Sequence, residues 1–260
     1  MSSEGLLQLK AENVVNSLKE GKRLDGRKID EYRKIVLEKN VFANAEGSAR
    51  VSFGETVVAV GVKFVLGEPF PDLPDKGTIA VGAELLPLAS PTFESGPPNN
   101  KSIELARVVD RGIRESKAID FEKLCVAEGE LVWIVFIDIY AINFDGNLFD
   151  ASSFGAMAAM LNARIPKQEK GKIIKNEYSG ELKLNRKPLL STFAKIGNKM
   201  VLDPNLLEEE AMDARFSVAT TEDDFLSAFQ KGKGGSLTKE EVDYAIDTAL
   251  KQSKEIRKLL

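Results

Sequence analysis

The run ELVWIVFIDIYAI, residues 130–142, constrains the fold more than any other stretch of the chain. It is rich in β-branched and aromatic residues and apolar on both of its faces, so it reads as a strand buried on both. It falls short of the roughly 18 uninterrupted apolar residues of a membrane span and carries Asp138 within it, which places it in a soluble core. Asp138 is either buried with a partner or marks a bend where the strand meets solvent.

A strand of this kind needs neighbours, and the preceding sequence supplies them. IVLEKNVFA, SARVSF and TVVAVGVKFVL are β-type runs, the last two joined by the short Gly54-Glu55 connection of a hairpin. Three prolines interrupt residues 67–76, TIAVGAELLPLA resumes the sheet, and a second loop, SPTFESGPPNN, precedes a helix over about 101–116. After residue 142, NFDGNLFDASSFGAMAAML gives a turn and a helix that stops before Pro166. The second half repeats the logic on a smaller scale. LLSTFAKIG and KMVLDP form a hairpin around Gly197-Asn198, ARFSVATT adds a strand, and a long helix closes the chain. Thr238 and Glu241 make a capping box at its start, and Val242, Ala245, Ile246, Ala249 and Ile256 form its buried stripe. Runs of strands followed by helices define an α+β class. The expected organisation is an N-terminal helix and extended arm (1–32), a first domain (33–166), a charged linker or excursion (167–188) and a second domain (189–260). The first helix carries Leu7, Ala11, Val14 and Leu18 on one stripe and stops at Gly21.

Composition removes whole classes of chemistry. With no histidine and a single cysteine, Cys125, the chain offers no Ser-His-Asp triad, Cys-His pair, intramolecular disulfide or Cys/His zinc site. The N-terminal segment mixes charge with Leu and Val and lacks an apolar signal core, so a cytoplasmic protein without membrane association is expected. A net charge of −4 argues against indiscriminate coating of DNA, while leaving room for a local basic face.

Such a face is legible in KSIELARVVDRGIRES. Leu105, Val108, Val109, Gly112 and Ile113 make one buried stripe. Arg107, Arg111 and Arg114 make a second, about 200° from Leu105, spanning about 10 Å with planar guanidinium forks suited to phosphates. The plain reading is a solvated face paired to Glu104, Asp110 and Glu115, and composition alone favours it. Two other features read as structural. Asp203, Glu208, Glu209, Glu210 and Asp213 form a run expected to point into water rather than converge on a cation. The turn Asp145-Gly146 before a helix resembles an anion cradle, but residues 143–162 contain no Arg, Lys or His. Asp150, read as the N-cap, would occupy the donors a phosphate needs and repel it. The small residues of this helix then serve close packing.

RLDGR, GSARVSFGETVVAV, ELARVVDRGIRES and DIYAINFDGNLFDASSFGAMAAML, in this order and spacing, resemble the RNase PH family, with the non-catalytic RNase PH-like subunits of archaeal exosomes nearest. KPLLSTFAKIGNKMVLDPNLLEEEAMDARFSVATTED is similar to the second domain of those subunits. The resemblance implies an RNase PH-like fold, of the ribosomal protein S5 domain 2-like type, with two similar βαβα-type halves. It also implies membership of a phosphorolytic ring that shortens single-stranded RNA from its 3′ end, built from heterodimers with a catalytic paralogue and carrying an RNA-binding cap subunit. Catalytic members carry a Gly-Gly-Thr-Arg loop; here the loop reads Asp145-Gly146-Asn147-Leu148, without arginine. Asp203 matches an early catalytic Asp, but Pro204 and the spacing to Glu208 depart from the pattern. The resemblance thus implies a subunit without catalytic residues or cofactor of its own. Inorganic phosphate, with or without a divalent metal, belongs to the partner. It also moves the arginine stripe towards RNA contact, with Arg107 and Arg111 foremost and Arg114 weaker. A self-sufficient exoribonuclease using Asp203 with a metal, and a scaffold that never touches RNA, are the competing readings.

Overall fold

The computed structural model describes residues 3–260, with side chains described from residue 11 onwards. A helix α1 (Ser3–Lys19) leads into the first half: β1 (Ile35–Lys39), β2 (Gly47–Phe53), β3 (Thr56–Gly67), β4 (Thr78–Leu85), α2 (Asn100–Glu115), β5 (Cys125–Ala127), β6 (Leu131–Asn143) and α3 (Leu148–Leu161). A hairpin of β7 (Arg164–Glu169) and β8 (Lys172–Glu181) follows. The second half holds β9 (Leu189–Ile196), β10 (Lys199–Leu202), α4 (Leu206–Ala211), β11 (Ala214–Thr220), β12 (Leu226–Gly232) and α5 (Lys239–Arg257).

The first sheet runs β1-β2-β3-β6-β4, with β5 on β6, and is antiparallel except where β4 meets β6. The second is an antiparallel β10-β9-β11-β12 sheet. This is the mixed α+β architecture expected. Both predicted two-residue hairpins are present, closing on Phe53↔Thr56 and Ile196↔Lys199. The capping box of α5 is formed: the Thr238 hydroxyl accepts from Glu241 N at 3.3 Å, and Glu241 Oε2 accepts from Thr238 N at 2.8 Å.

The helix α3 is the centre of the molecule. Every residue from Leu148 to Met160 is buried. One side lies on β2 and β3, where a Cβ on Gly155 would stand 2.9 Å from Val60 Cγ2, so the small residue sets the closeness of helix and sheet. The other side receives β9, whose Leu190 N donates to Ser153 Oγ at 3.1 Å and Thr192 N to Asp150 Oδ2 at 2.9 Å. Phe154, Met157 and Met160 of this helix are fully buried, each contributing about 1.5–3 kcal/mol, and Phe154 meets the Phe53 ring of β2 edge-on.

In three places the structure corrects or adds to the expectations. First, β6 is not buried on both faces: its residues alternate, with Val135, Ile137 and Ile139 in the core and Ile134, Phe136, Asp138 and Tyr140 half-buried on a face without a helix. The strand covered on both sides is β9, held between α3 and α5. Asp138 faces that outer side, aligned between Gly61 and Gly82 of the neighbouring strands, and burial and the nearby Glu84 raise its carboxyl. Second, of the two readings of residues 167–188, linker or excursion, the segment has the form of an excursion. Most of them form the β7-β8 hairpin, turning at Lys170 (φ 50°) and Gly171 (φ 75°), the pair of positive angles that a two-residue turn demands. Third, α4 and β12 are additional elements that the sequence reading lacked.

Val14 and Leu18 of α1 pack on Ala194, Ile196, Val201 and Met212, so this helix covers the second half of its own chain. The Leu7 side chain lies outside the described residues. No helix among the described residues is long and apolar enough to cross a membrane.

Candidate nucleic-acid interface and a closed anion site

The helix α2 starts at Asn99, whose side chain accepts from Lys101 N and Ser102 N at 3.0 Å each. Its apolar stripe is buried as expected, which fixes the opposite face outward. There Arg107 and Arg111, one turn apart, are exposed and make no hydrogen bond or ion pair among the described residues. They line an open groove of about 240 Å³ together with Asn100, Ile103, Glu104, Val108 and, from β12, Gln230.

Two of the three carboxylates expected to neutralise this stripe are engaged elsewhere, and the third, Glu115, is exposed and pairs with none of the arginines among the described residues. Glu104 pairs with Arg215 of β11, whose guanidinium lies 4.0 Å from the centre of the Phe149 ring. Asp110 takes Arg114 in a bidentate pair, at 3.1 Å to Nε and 2.9 Å to Nη2. Arg114 also donates to the carbonyl of Ile79 at 3.1 Å and lies over Phe121. The three arginines therefore divide: two are free, and the third ties α2 to β4.

The turn before α3 behaves in the opposite way. Its N-cap is Asn147, not Asp150 as expected; Asn147 has φ 54°, and its Oδ1 accepts from Asp150 N at 3.3 Å. Asp150 lies one turn further in and is buried. Asn147 Nδ2 donates to Asp150 Oδ2 at 2.9 Å and to Asp203 Oδ1 at 2.6 Å. Arg33 completes the closure. Its Nε and Nη2 donate to the two Asp203 oxygens at 3.0 and 2.8 Å, and its guanidinium also reaches the carbonyls of Asp145 (2.6 Å) and Gly146 (3.1 Å). Arg27 adds a further contact to Asp203 Oδ2 at 3.1 Å. Gly146 (φ 82°) is pressed against residues 204–206, so close that a Cβ would stand 2.4 Å from the Asn205 carbonyl carbon.

The place beside the α3 N-terminus where an anion would bind is thus filled by the chain's own Asp203 carboxylate, and these residues do not fit an incoming phosphate. Burial by itself would raise the Asp203 carboxyl, but the hydrogen bonds and charge of Arg33 outweigh it and hold it below the ordinary carboxylate range. Asp150 goes the other way: burial raises it to about 7 in spite of hydrogen bonds from Asn147 and Thr192, the Asp203 charge adds to the rise, and its Oδ1 has no partner.

The acidic run does not point wholly into water, contrary to the expectation. Asp203 and Glu208 are buried, and Glu208 receives Arg23 through Nε at 2.8 Å and Nη2 at 2.6 Å. Glu210 and Asp213 do face solvent. The residues missed were Arg23, Arg27 and Arg33 of the arm, together with Gln230. Their partners lie far away in sequence, 170 residues for Arg33 and Asp203, and no local pattern announces them.

The chain is a two-domain α+β protein with one closed turn at a helix N-terminus and one open cationic groove. Residues 31–166 match the 3′ exoribonuclease family, domain 1, and residues 188–252 its domain 2; the chain belongs to this RNase PH family. It is 53% identical over 253 residues to the exosome complex component Rrp42 of Thermococcus gammatolerans, covering 96% of this chain and 93% of that one. To the protein of the same name from Methanothermobacter thermautotrophicus it is 48% identical over 248 residues, covering 94% and 92%. Among solved structures, a chain of the Archaeoglobus fulgidus exosome with RNA bound to the active site superposes with a TM-score of 0.91 at 44% identity, covering 97% of this chain and 98% of that one. Rice Rrp46, at 18% identity and TM-score 0.70 over 91% of this chain and 97% of that one, shares the fold.

Proposed function

We propose that this chain is a non-catalytic subunit of a phosphorolytic 3′-to-5′ exoribonuclease complex of the archaeal exosome type. The observation that carries the reading is the asymmetry between the two cationic regions. The turn before α3 has no arginine of its own and is sealed by Asp203, whereas Arg107 and Arg111 stand free on a groove. Loss of one preorganised cation at a reacting oxyanion costs about 10²-fold or more in rate, which supports catalytic silence for this chain. A self-sufficient enzyme would need Asp203 and Glu208 available, and both are held by arginines. Inorganic phosphate and any divalent metal then belong to the partner's site.

In the assembly this chain pairs with a catalytic RNase PH-like paralogue, three such heterodimers close a cytoplasmic ring, and a cap subunit recruits single-stranded RNA. Arg107 and Arg111 hold RNA phosphates at the composite site, and Arg114 supports α2. Exposed Ile103 and Phe229 flank the groove, and Phe70, Leu73 and Leu88 are exposed on the connecting loops, apolar surface of the kind that a neighbouring subunit covers. The test is phosphate-dependent shortening of a single-stranded RNA by this chain alone, by the paralogue alone and by the mixture. The expected result is silence from this chain and more activity in the mixture than from the paralogue alone. Release of nucleoside diphosphates by this chain alone would overturn the reading.

A further inference from the structure

Gln230 lies half-buried in β12 and lines the groove with Arg107 and Arg111. Its amide nitrogen donates to Glu104 Oε1 at 3.3 Å and, at 3.4 Å, to the carbonyl of Lys231. Both partners are pure acceptors, so only the NH₂ end of the amide can satisfy them. Glu104 is itself pinned, because it pairs with Arg215 and Arg215 rests on Phe149. The amide is therefore oriented by a chain of fixed groups, and its Oε1, with no donor among the described residues, is left for a ligand.

That leftover atom differs in kind from the two arginines. Guanidiniums suit phosphate oxygens, whereas a neutral carbonyl oxygen repels them and requires a donor. Along a single strand the donor that recurs at every nucleotide, whatever its base, is the ribose 2′-hydroxyl, and it is the group that separates RNA from DNA. Resting on the RNA-binding reading of this groove, we infer that Gln230 Oε1 accepts a hydrogen bond from a ribose 2′-hydroxyl of the strand whose phosphates lie on Arg107 and Arg111. Gln230 is then a specificity determinant, with Glu104 and Arg215 as its positioning residues.

The test uses the complex assembled with the paralogue and compares binding of oligo(U) and oligo(dU) of equal length at one salt concentration. Uracil carries no exocyclic amine, so a base donor of that kind cannot imitate the effect. Gln230→Leu should weaken oligo(U) roughly three- to tenfold, the worth of one neutral hydrogen bond, and leave oligo(dU) unchanged. Glu104→Gln frees the amide to turn over and should give a smaller loss, again on oligo(U) alone. A third arm scans the strand: oligo(U) carrying a single deoxyuridine at each position in turn should show one position of similar loss with the unaltered protein, and Gln230→Leu should abolish that loss. An equal fall on both oligomers, no fall on either, or a scan without a sensitive position overturns the inference. Arg107→Ala with Arg111→Ala should weaken both oligomers alike. If it weakens neither, the RNA-binding reading of the groove fails, a result distinct from any change in the ratio of the two affinities.

Discussion

Two groups of arginines in this protein have opposite fates. Arg23, Arg27 and Arg33, on the polar arm after α1, are folded against Asp203 and Glu208, and the Arg33 guanidinium closes over the turn that opens α3. Arg107 and Arg111, on α2, are exposed; of the acids beside them, Asp110 and Glu104 have been taken up by Arg114 and Arg215, and Glu115 is exposed without pairing among the described residues. The same side chain is a structural clamp in one place and an unspent donor in the other. What separates them is largely where the carboxylates go: buried acids hold the first group, while two of the three acids near the second are drawn off by other arginines.

The comparison can be broken at the clamp first. Asp203→Ala takes the bidentate partner from buried Arg33, leaving it only the half-exposed Asp145 carboxylate at 3.5 Å, and leaves half-buried Arg27 to Asp25; such a loss typically costs about 3–5 kcal/mol, readable by urea or guanidinium unfolding of the purified chain. A loss below about 1 kcal/mol would mean that the arm arginines are not clamped.

A second effect, of a few kcal/mol at most, comes from pH. Asp150, raised to about 7, binds a proton in the folded state that the unfolded chain has lost, so its contribution to stability falls as pH rises from about 4 to 7. Glu209, also raised by burial, acts with the same sign. Asp203 acts oppositely: with its folded value depressed, its contribution is present above the ordinary carboxylate range and disappears as pH falls below it. The chain contains no histidine to titrate in the same window. Stability of Asp150→Asn between about pH 4 and 7 should therefore vary less with pH than that of the unaltered chain. An identical profile for the two would contradict the assignment.

The smallest effect sharpens the division within α2. Arg114→Ala removes the contacts to Asp110 and Ile79, half-exposed as they are, and should cost about 1 kcal/mol in thermal or chemical unfolding. A change in RNA affinity as large as that of Arg107→Ala would place Arg114 with the free pair.

These predictions also mark what the sequence could disclose. The faces of α2 and the capping box of α5 were legible because their signals are local: a period of 3.6 residues, and residues three apart that satisfy each other's backbone. The two-residue hairpins were legible from their glycines. The strand β6 was misread because half-buried Ile134 and Phe136 on its outer face hide the alternation that its burial follows. The β7-β8 ribbon reads in the sequence only as a linker or excursion, because a largely exposed two-stranded ribbon needs no apolar face of its own. The clamp was out of reach, since it joins residues about 170 positions apart through pairings that leave no periodic trace. The free pair was visible as a stripe, but its freedom depends on Arg215, on another element, capturing Glu104.

The central claim is that Arg107 and Arg111 meet RNA phosphates while the remaining arginines of these two regions serve the fold. Its most direct test is the dependence of RNA affinity on salt for the assembled complex. Each phosphate contact on a single strand contributes a slope of about 0.7 in log K against log salt. Arg107→Ala with Arg111→Ala should make the slope shallower by about 1.4, with assembly and unfolding unchanged, while Arg114→Ala should leave it as it was. A slope unaltered by the double substitution, in a complex that still assembles, would contradict the account.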